Sequence, residues 1–177
     1  IWRWAIMPEI ETKEMKQTTE RKQVFVDFDG TSQDYSKPLI AEDSYKGVIE
    51  AVDLIEVPSY NNPEVKEKKV VVKIKLEGEG SDGVVLPLYA NPIVKKSSGT
   101  KGYSNSKLYD LLVNAGLLDD AKKTHEALET FEGLVGYLSA KLVGRKVKAL
   151  VKNRRKGTDG AYSSVGDILR FEPAEAK

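Results

Sequence analysis

Between residues 69 and 77, apolar and charged side chains alternate strictly. Val70, Val72, Ile74 and Leu76 fall on one face, while Lys73 and Lys75 fall on the other. A period of two over this length specifies a strand with one buried face and one wet face. Residues 84–89 repeat the pattern with Val84, Leu86 and Leu88. Residues 145–152 repeat it with Val147, Ala149 and Val151 inward and Lys146, Lys148 and Lys152 outward. Residues 45–57 begin in phase (Tyr45, Gly47, Ile49, Ala51) and slip near residues 52–55, which predicts a bulge or strong coiling. Residues 161–171 supply a last strand or a bent pair. Strands that are wet on one side pair antiparallel, because parallel strands are covered on both faces.

Turn residues separate these runs. Residues 58–63 carry Pro58, Asn61, Asn62 and Pro63, and residues 78–83 carry three glycines. Pro87 stands off the apolar set, and its missing N–H suits a sheet edge. One helix is predicted behind a Ser104 or Ser106 cap, with Leu108, Leu111, Leu112 and Ala115 on one face and Gly116 as its stop. A second covers residues 120 to about 131. The order is strand, strand, strand, helices, strand, strand. A ferredoxin-like fold needs helices after its first and fourth strands, and neither is present. The expectation is therefore a mainly β fold, a five-stranded OB-fold barrel with helices at about 104–131 inserted between strands three and four. Residues 24–172 form that domain. Residues 1–23 are read as a flexible arm, with 1–6 non-native ahead of Met7, and 173–177 as a tail.

Composition removes several function classes. With 40% hydrophobic and 31% charged residues among 177, the chain can bury a core and is not a low-complexity polymer. No cysteine means no disulfide scaffold, thiol catalysis or thiolate metal site. The single histidine, His125, lies between Lys123 and Glu126 with no partner ligand nearby in sequence, so neither a metal nor any other cofactor is expected. The glycine-rich stretch at 78–83 lacks the Gly-Lys-Ser/Thr ending of a phosphate loop. No apolar run reaches the roughly 18 residues of a membrane span, so no membrane partner is expected. The lack of cysteine and of a signal-like leader leads to the expectation of a reducing cytoplasm.

Charge is distributed unevenly. Residues 90–109 carry four lysines and no acid, and residues 133–158 carry eight basic residues and no acid. The whole chain is +1, so the remainder sums to −11. A nearly neutral protein can thus present one basic face if the two windows meet.

Several short stretches resemble the single-stranded-DNA-binding OB proteins of phages and archaeal viruses. They are Phe28 with Pro38-Leu39-Ile40, Asp43-Ser44-Tyr45-Lys46-Gly47-Val48-Ile49, Ser106-Lys107-Leu108, and Leu142-Val143-Gly144-Arg145-Lys146-Val147. The resemblance runs from about residue 25 to 171 and departs at Ser44, where such proteins often place glycine. It implies an OB-fold and binding to single-stranded DNA or RNA, with replication or recombination proteins as further partners. Oligomerisation is left open.

On an OB-fold, ligands lie across strands two and three and the loops joining strands one to two and four to five. That places Tyr60 in the first loop, Lys73, Lys75 and Tyr89 on the strand face, and Arg154, Arg155 and Lys156 in the last loop. Tyr162 opens the final strand. Lys95, Lys96, Lys101, Lys148 and Lys152 come from the two basic windows. Lysines and arginines would track phosphates while tyrosines stack on bases. The competing roles are tyrosines packed under the helices and lysines simply solvated. The functional expectation is a non-catalytic protein binding single-stranded nucleic acid, DNA above all. Two alternatives stand beside it. One is an OB-fold scaffold binding protein partners. The other rests on Val24-Phe25-Val26-Asp27-Phe28-Asp29-Gly30-Thr31, which resembles the first motif of haloacid-dehalogenase-type phosphatases. That resemblance makes Asp27 the nucleophile and Asp29 the acid/base, but no helix-bearing βα unit follows.

Overall fold

The computed structural model describes residues 37–173. Five strands, β1 (Ser44–Pro58), β2 (Lys66–Glu77), β3 (Val85–Ala90), β4 (Lys146–Arg154) and β5 (Tyr162–Phe171), form one antiparallel sheet in the order β3-β2-β1-β4-β5. Between β3 and β4 come α1 (Lys107–Asn114), α2 (Leu118–Lys123), a 3₁₀ turn (His125–Glu129) and α3 (Phe131–Leu142). The fold is mainly β, as the alternation predicts.

β1 is the longest strand and serves two neighbours. Its start pairs with β4, Ser44 opposite Leu150, and from Lys46 onward it pairs with β2. The phase slip expected near residues 52–55 falls earlier, as a bulge between Ile49 and Ala51, after which the buried side passes from Ile49 to Val52. Gly47 lies opposite Leu76 in the β1–β2 ladder. A Cβ there would lie 2.7 Å from the Lys75 carbonyl oxygen and 2.9 Å from Ile74 Cγ2, so only glycine fits without a shift.

The sheet has two free edges, β3 and β5, and they lie against each other without forming a ladder. The five-stranded sheet is therefore open at this seam rather than closed by hydrogen bonds. β3 is only six residues long, and Pro87, opposite Lys73, has no N–H to offer on the side away from β2. At the start of β5 the preceding chain covers part of the edge, where Ser163 N–H donates to the Pro38 carbonyl at 2.8 Å.

The inner face carries the alternating residues Val70, Val72, Ile74, Leu76, Leu86 and Leu88, all buried, together with Val147, Ala149 and Val151 from β4. The helices close over them with Leu108, Leu111, Leu112, Leu134, Leu138 and Leu142. Ser106 caps α1 by accepting from Tyr109 N–H at 3.2 Å, and Asn114 Nδ2 donates to the Ile168 carbonyl, fixing α1 to β5. The helical region extends past the expected end near residue 131. Thr130 caps a further helix, α3, whose leucines at 134, 138 and 142 recur every four residues into the core. Burial outweighs the poor helix propensity of Gly133 and Gly136. Gly133 is also sterically required, since a Cβ would meet the Ala127 carbonyl oxygen at 1.8 Å.

Candidate nucleic-acid interface

Residues 91–106 leave β3 and return to α1 as a loop closed on itself. Lys95 N–H donates to Ser106 Oγ and Ser106 N–H to the Lys95 carbonyl, both at 2.9 Å. Ser97 N–H donates to Asn105 Oδ1 at 2.7 Å, and Ser97 Oγ donates to the Tyr103 carbonyl at 2.8 Å. These bonds hold the loop beside β3 and leave a cleft of about 570 Å³ whose lining includes Lys69, Tyr89, Lys95, Lys96, Tyr103 and Lys107.

Tyr89 of β3 and Lys107 at the start of α1 line this cleft. Tyr89 points outward from β3 and is 38% exposed. Burial, followed by the nearby Tyr162 phenol on β5, holds its ionisation above the usual tyrosine range. The ammonium of Lys37 stands 4.4 Å from the centre of the Tyr162 ring. Lys107 Nζ donates to the Tyr89 carbonyl at 3.4 Å. Burial pushes the Lys107 ammonium toward easier deprotonation, the Arg154 guanidinium adds to this and Lys152 contributes further, while Asp167 opposes. Arg154 and Lys152 share the outward face of β4, opposite Tyr162 and Ser164 respectively, and Arg154 Nε donates to Ser164 Oγ at 3.2 Å.

On the outer face of β2 and β3, Val71 pairs with Tyr89, Lys73 with Pro87 and Lys75 with Val85. Lys73, Lys75 and Tyr89 therefore share one surface. A shallow apolar groove of about 280 Å³ runs there between Ile55, Val71, Val85 and Pro87. Lys73 is held by Asp53 at 2.8 Å, which neutralises much of its field.

The remaining sequence-predicted residues lie in different places. Lys148 stands in a cross-strand row with Lys46 of β1 and Arg170 of β5, further down the same face of β4 as Lys152. Lys156 is paired with Glu42 at 2.7 Å. That bond, with one from Asn153 N–H, holds the Glu42 carboxyl below its ordinary range. Arg155 is exposed in a left-handed conformation at the β4–β5 turn, with φ of 50°. Tyr60 tips the β1–β2 hairpin, 98% exposed, and lines neither cleft nor groove. Lys101 is exposed in the 91–106 loop away from the cleft wall. Asp27 and Asp29 lie outside the described residues.

Sequence reasoning assigned no binding role to Lys107, Lys69, Tyr103 or Lys37. For Lys107 a signal was present. It follows the Ser106 cap directly, so it sits where the basic loop turns into the helix. What the fold and this surface define is a mainly β protein with a cationic, tyrosine-bearing opening between its two edge strands. No protein-family model matches the chain, and no curated protein matches it in sequence. Among the described residues no helix is long and apolar enough to cross a membrane.

Proposed function

We propose that this protein binds single-stranded nucleic acid, DNA above all, without catalysis, on an OB-type sheet left open between β3 and β5. The observation that carries the reading is the meeting of Tyr89 and Tyr162 with Lys107, Lys152 and Arg154 at that opening. Flat rings beside long cationic side chains suit a strand whose bases are unpaired, because every base offers a face to stack on and every nucleotide a phosphate. Strand order β3-β2-β1-β4-β5, with helices between β3 and β4, is the order an OB barrel has when cut between strands three and five. The resemblance to phage-type single-strand binders points the same way.

The test is a fluorescence-anisotropy titration with labelled single-stranded and duplex oligonucleotides at two salt concentrations. Tighter binding to the single strand, weakening as salt rises, is expected. Equal affinity for duplex, or no binding at low salt, would overturn the reading. A second reading, a scaffold for protein partners, draws on an apolar groove of about 340 Å³ lined in part by Pro92, Val94, Leu112, Leu118 and Leu128. It predicts self-association in sedimentation runs or partner capture that persists at high salt.

A further inference from the structure

Lys152 does not stand upright from β4. Its stem lies flat across β5 at Gly166, where a Cβ would come within 2.9 Å of Lys152 Cδ and 3.1 Å of Cγ. The side chain thus passes over the one position in β5 that has no side chain to block it. Its charge is close enough to Lys107 to depress that ammonium, and so is that of Arg154. Lys107 comes from the other side of the opening, at the start of α1, and bonds the backbone of β3 through the Tyr89 carbonyl. Lys107 on α1 and Lys152 and Arg154 on β4 thus lie near enough to act on one another, with Asp167 acting on Lys107 and Glu42 on Lys152. Like charges brought together cost folding energy. Elsewhere the chain places acids against its lysines, with Asp53 on Lys73, Glu42 on Lys156 and Glu67 on Lys69.

We propose that Lys107, Lys152 and Arg154 form a phosphate-binding site across the β3–β5 opening, flanked by the rings of Tyr89 and Tyr162, with Gly166 positioning Lys152. The site rests on the nucleic-acid reading and says where a backbone phosphate is gripped. That place is the seam, rather than the β1–β2 hairpin that carries Tyr60. An anion seated there offsets the mutual repulsion of the three cations, so a polyanion raises the melting temperature of the free protein.

The experiment measures affinity for a fluorescein-labelled oligo-dT 20-mer against potassium chloride concentration. The triple variant Lys107→Gln/Lys152→Gln/Arg154→Gln should flatten the log–log salt slope by about 1.4–2.1, from about 0.7 for each single-strand phosphate that is no longer neutralised. The control Lys122→Gln/Lys123→Gln, on α2, should leave the slope unchanged. Gly166→Ala should act like Lys152→Gln, flattening the slope by about 0.7, the share of one phosphate, at an unchanged melting temperature. Added to Lys152→Gln it should do nothing more, since both act on one side chain. An unchanged slope in the triple variant, with wild-type binding intact, overturns the site and leaves the nucleic-acid reading standing. An equal effect of Gly166→Ala with and without Lys152 overturns the positioning role.

Failure of the wild type to bind the oligonucleotide overturns the nucleic-acid reading instead. Tripolyphosphate titration followed by the amide resonances of Gly166 and Tyr162 then decides the site alone. Shifts present in the wild type and absent from the triple variant uphold an anion site. No shifts overturn it.

Discussion

Replacing Tyr89 tests a stacking role against a packing role, because the ring is part covered and part exposed. With 38% of its surface exposed, about 120 Å² of the roughly 200 Å² a tyrosine can bury is covered. At about 25 cal/mol per Å² this corresponds to about 3 kcal/mol, an upper bound because the unfolded chain also buries some surface. Truncation here leaves an open notch beside Val71 rather than a sealed cavity, so the cost of Tyr89→Ala should be about 1–2 kcal/mol. That corresponds to a melting-temperature fall of about 3–10 °C for a domain of this size. Loss of one base stack should cost about 1–3 kcal/mol in affinity, or about 5- to 150-fold in Kd. Tyr89→Phe keeps the ring and should keep the affinity. Anisotropy titration with a single-stranded oligonucleotide, run well below the melting temperature, reads the loss of affinity, and thermal melting reads the loss of stability. Unchanged affinity in Tyr89→Ala, alongside the modest melting shift, would refute the stacking role. Collapse of the fold would refute the reading of Tyr89 as an outer-face residue.

Three further outcomes follow from the same geometry. Gly47→Ala should destabilise the protein by about 1–3 kcal/mol in urea denaturation, because its Cβ meets the β2 backbone, and an unchanged midpoint would contradict the close crossing of β1 over β2. Tyr137, pushed up to about 12 by burial and by its hydrogen bond to Asp120, favours folding while protonated. That contribution is complete below pH 10 and is lost as pH rises toward 12. Tyr137→Phe should therefore flatten the alkaline fall in stability, and a fall of the same size in the variant would remove Tyr137 as its source. Lys95→Gln should reduce the salt slope of single-strand binding by about 0.7, whereas Lys73→Gln, already paired with Asp53, should change it much less. Equal effects from the two would show that the Asp53 pair does not survive binding.

The strands β2, β3 and β4 were legible because each carries a period of two that only one arrangement satisfies. Val70 to Leu76 could not be buried as a helix face without burying Lys73 and Lys75 as well. A slip in β1 was also readable, although the structure places it between Ile49 and Ala51 rather than after Ala51. Other features depend on neighbours distant in sequence. Phe131 to Leu142 contains two glycines that argue locally against a helix, and the leucines that override them matter only once the sheet beneath is in place. Whether the sheet closes depends on which way the chain turns after Ala90, and no local periodicity encodes that. For the candidate site, residue type was legible and partnership was not. Lys73 and Lys107 are both lysines beside apolar residues. Only the fold sets one against Asp53 and the other among cations.

That difference in partnership is the strongest physical argument for the proposed site. A chain with a net charge of +1 and 27 acids could have neutralised every exposed cluster. Acids are instead placed on the outer face of β2, on the β4–β5 turn and between α2 and α3, where Asp120 accepts from Tyr137 and faces Lys141 at 3.4 Å. At the β3–β5 opening the balance runs the other way. Lys107, Lys152 and Arg154 lie near Asp167 and two tyrosines, Glu42 acts electrostatically on Lys152, and Lys107 is partly desolvated as well. Desolvating a cation among cations opposes folding twice, once through lost hydration and once through repulsion. Neither cost serves the core, since Lys107 is exposed while α1 buries Leu108, Leu111 and Leu112. An arrangement that folding alone would disfavour is accounted for if a polyanion completes it. The open edge then has a role of its own, because a ladder between β3 and β5 would close the space in which the three cations meet.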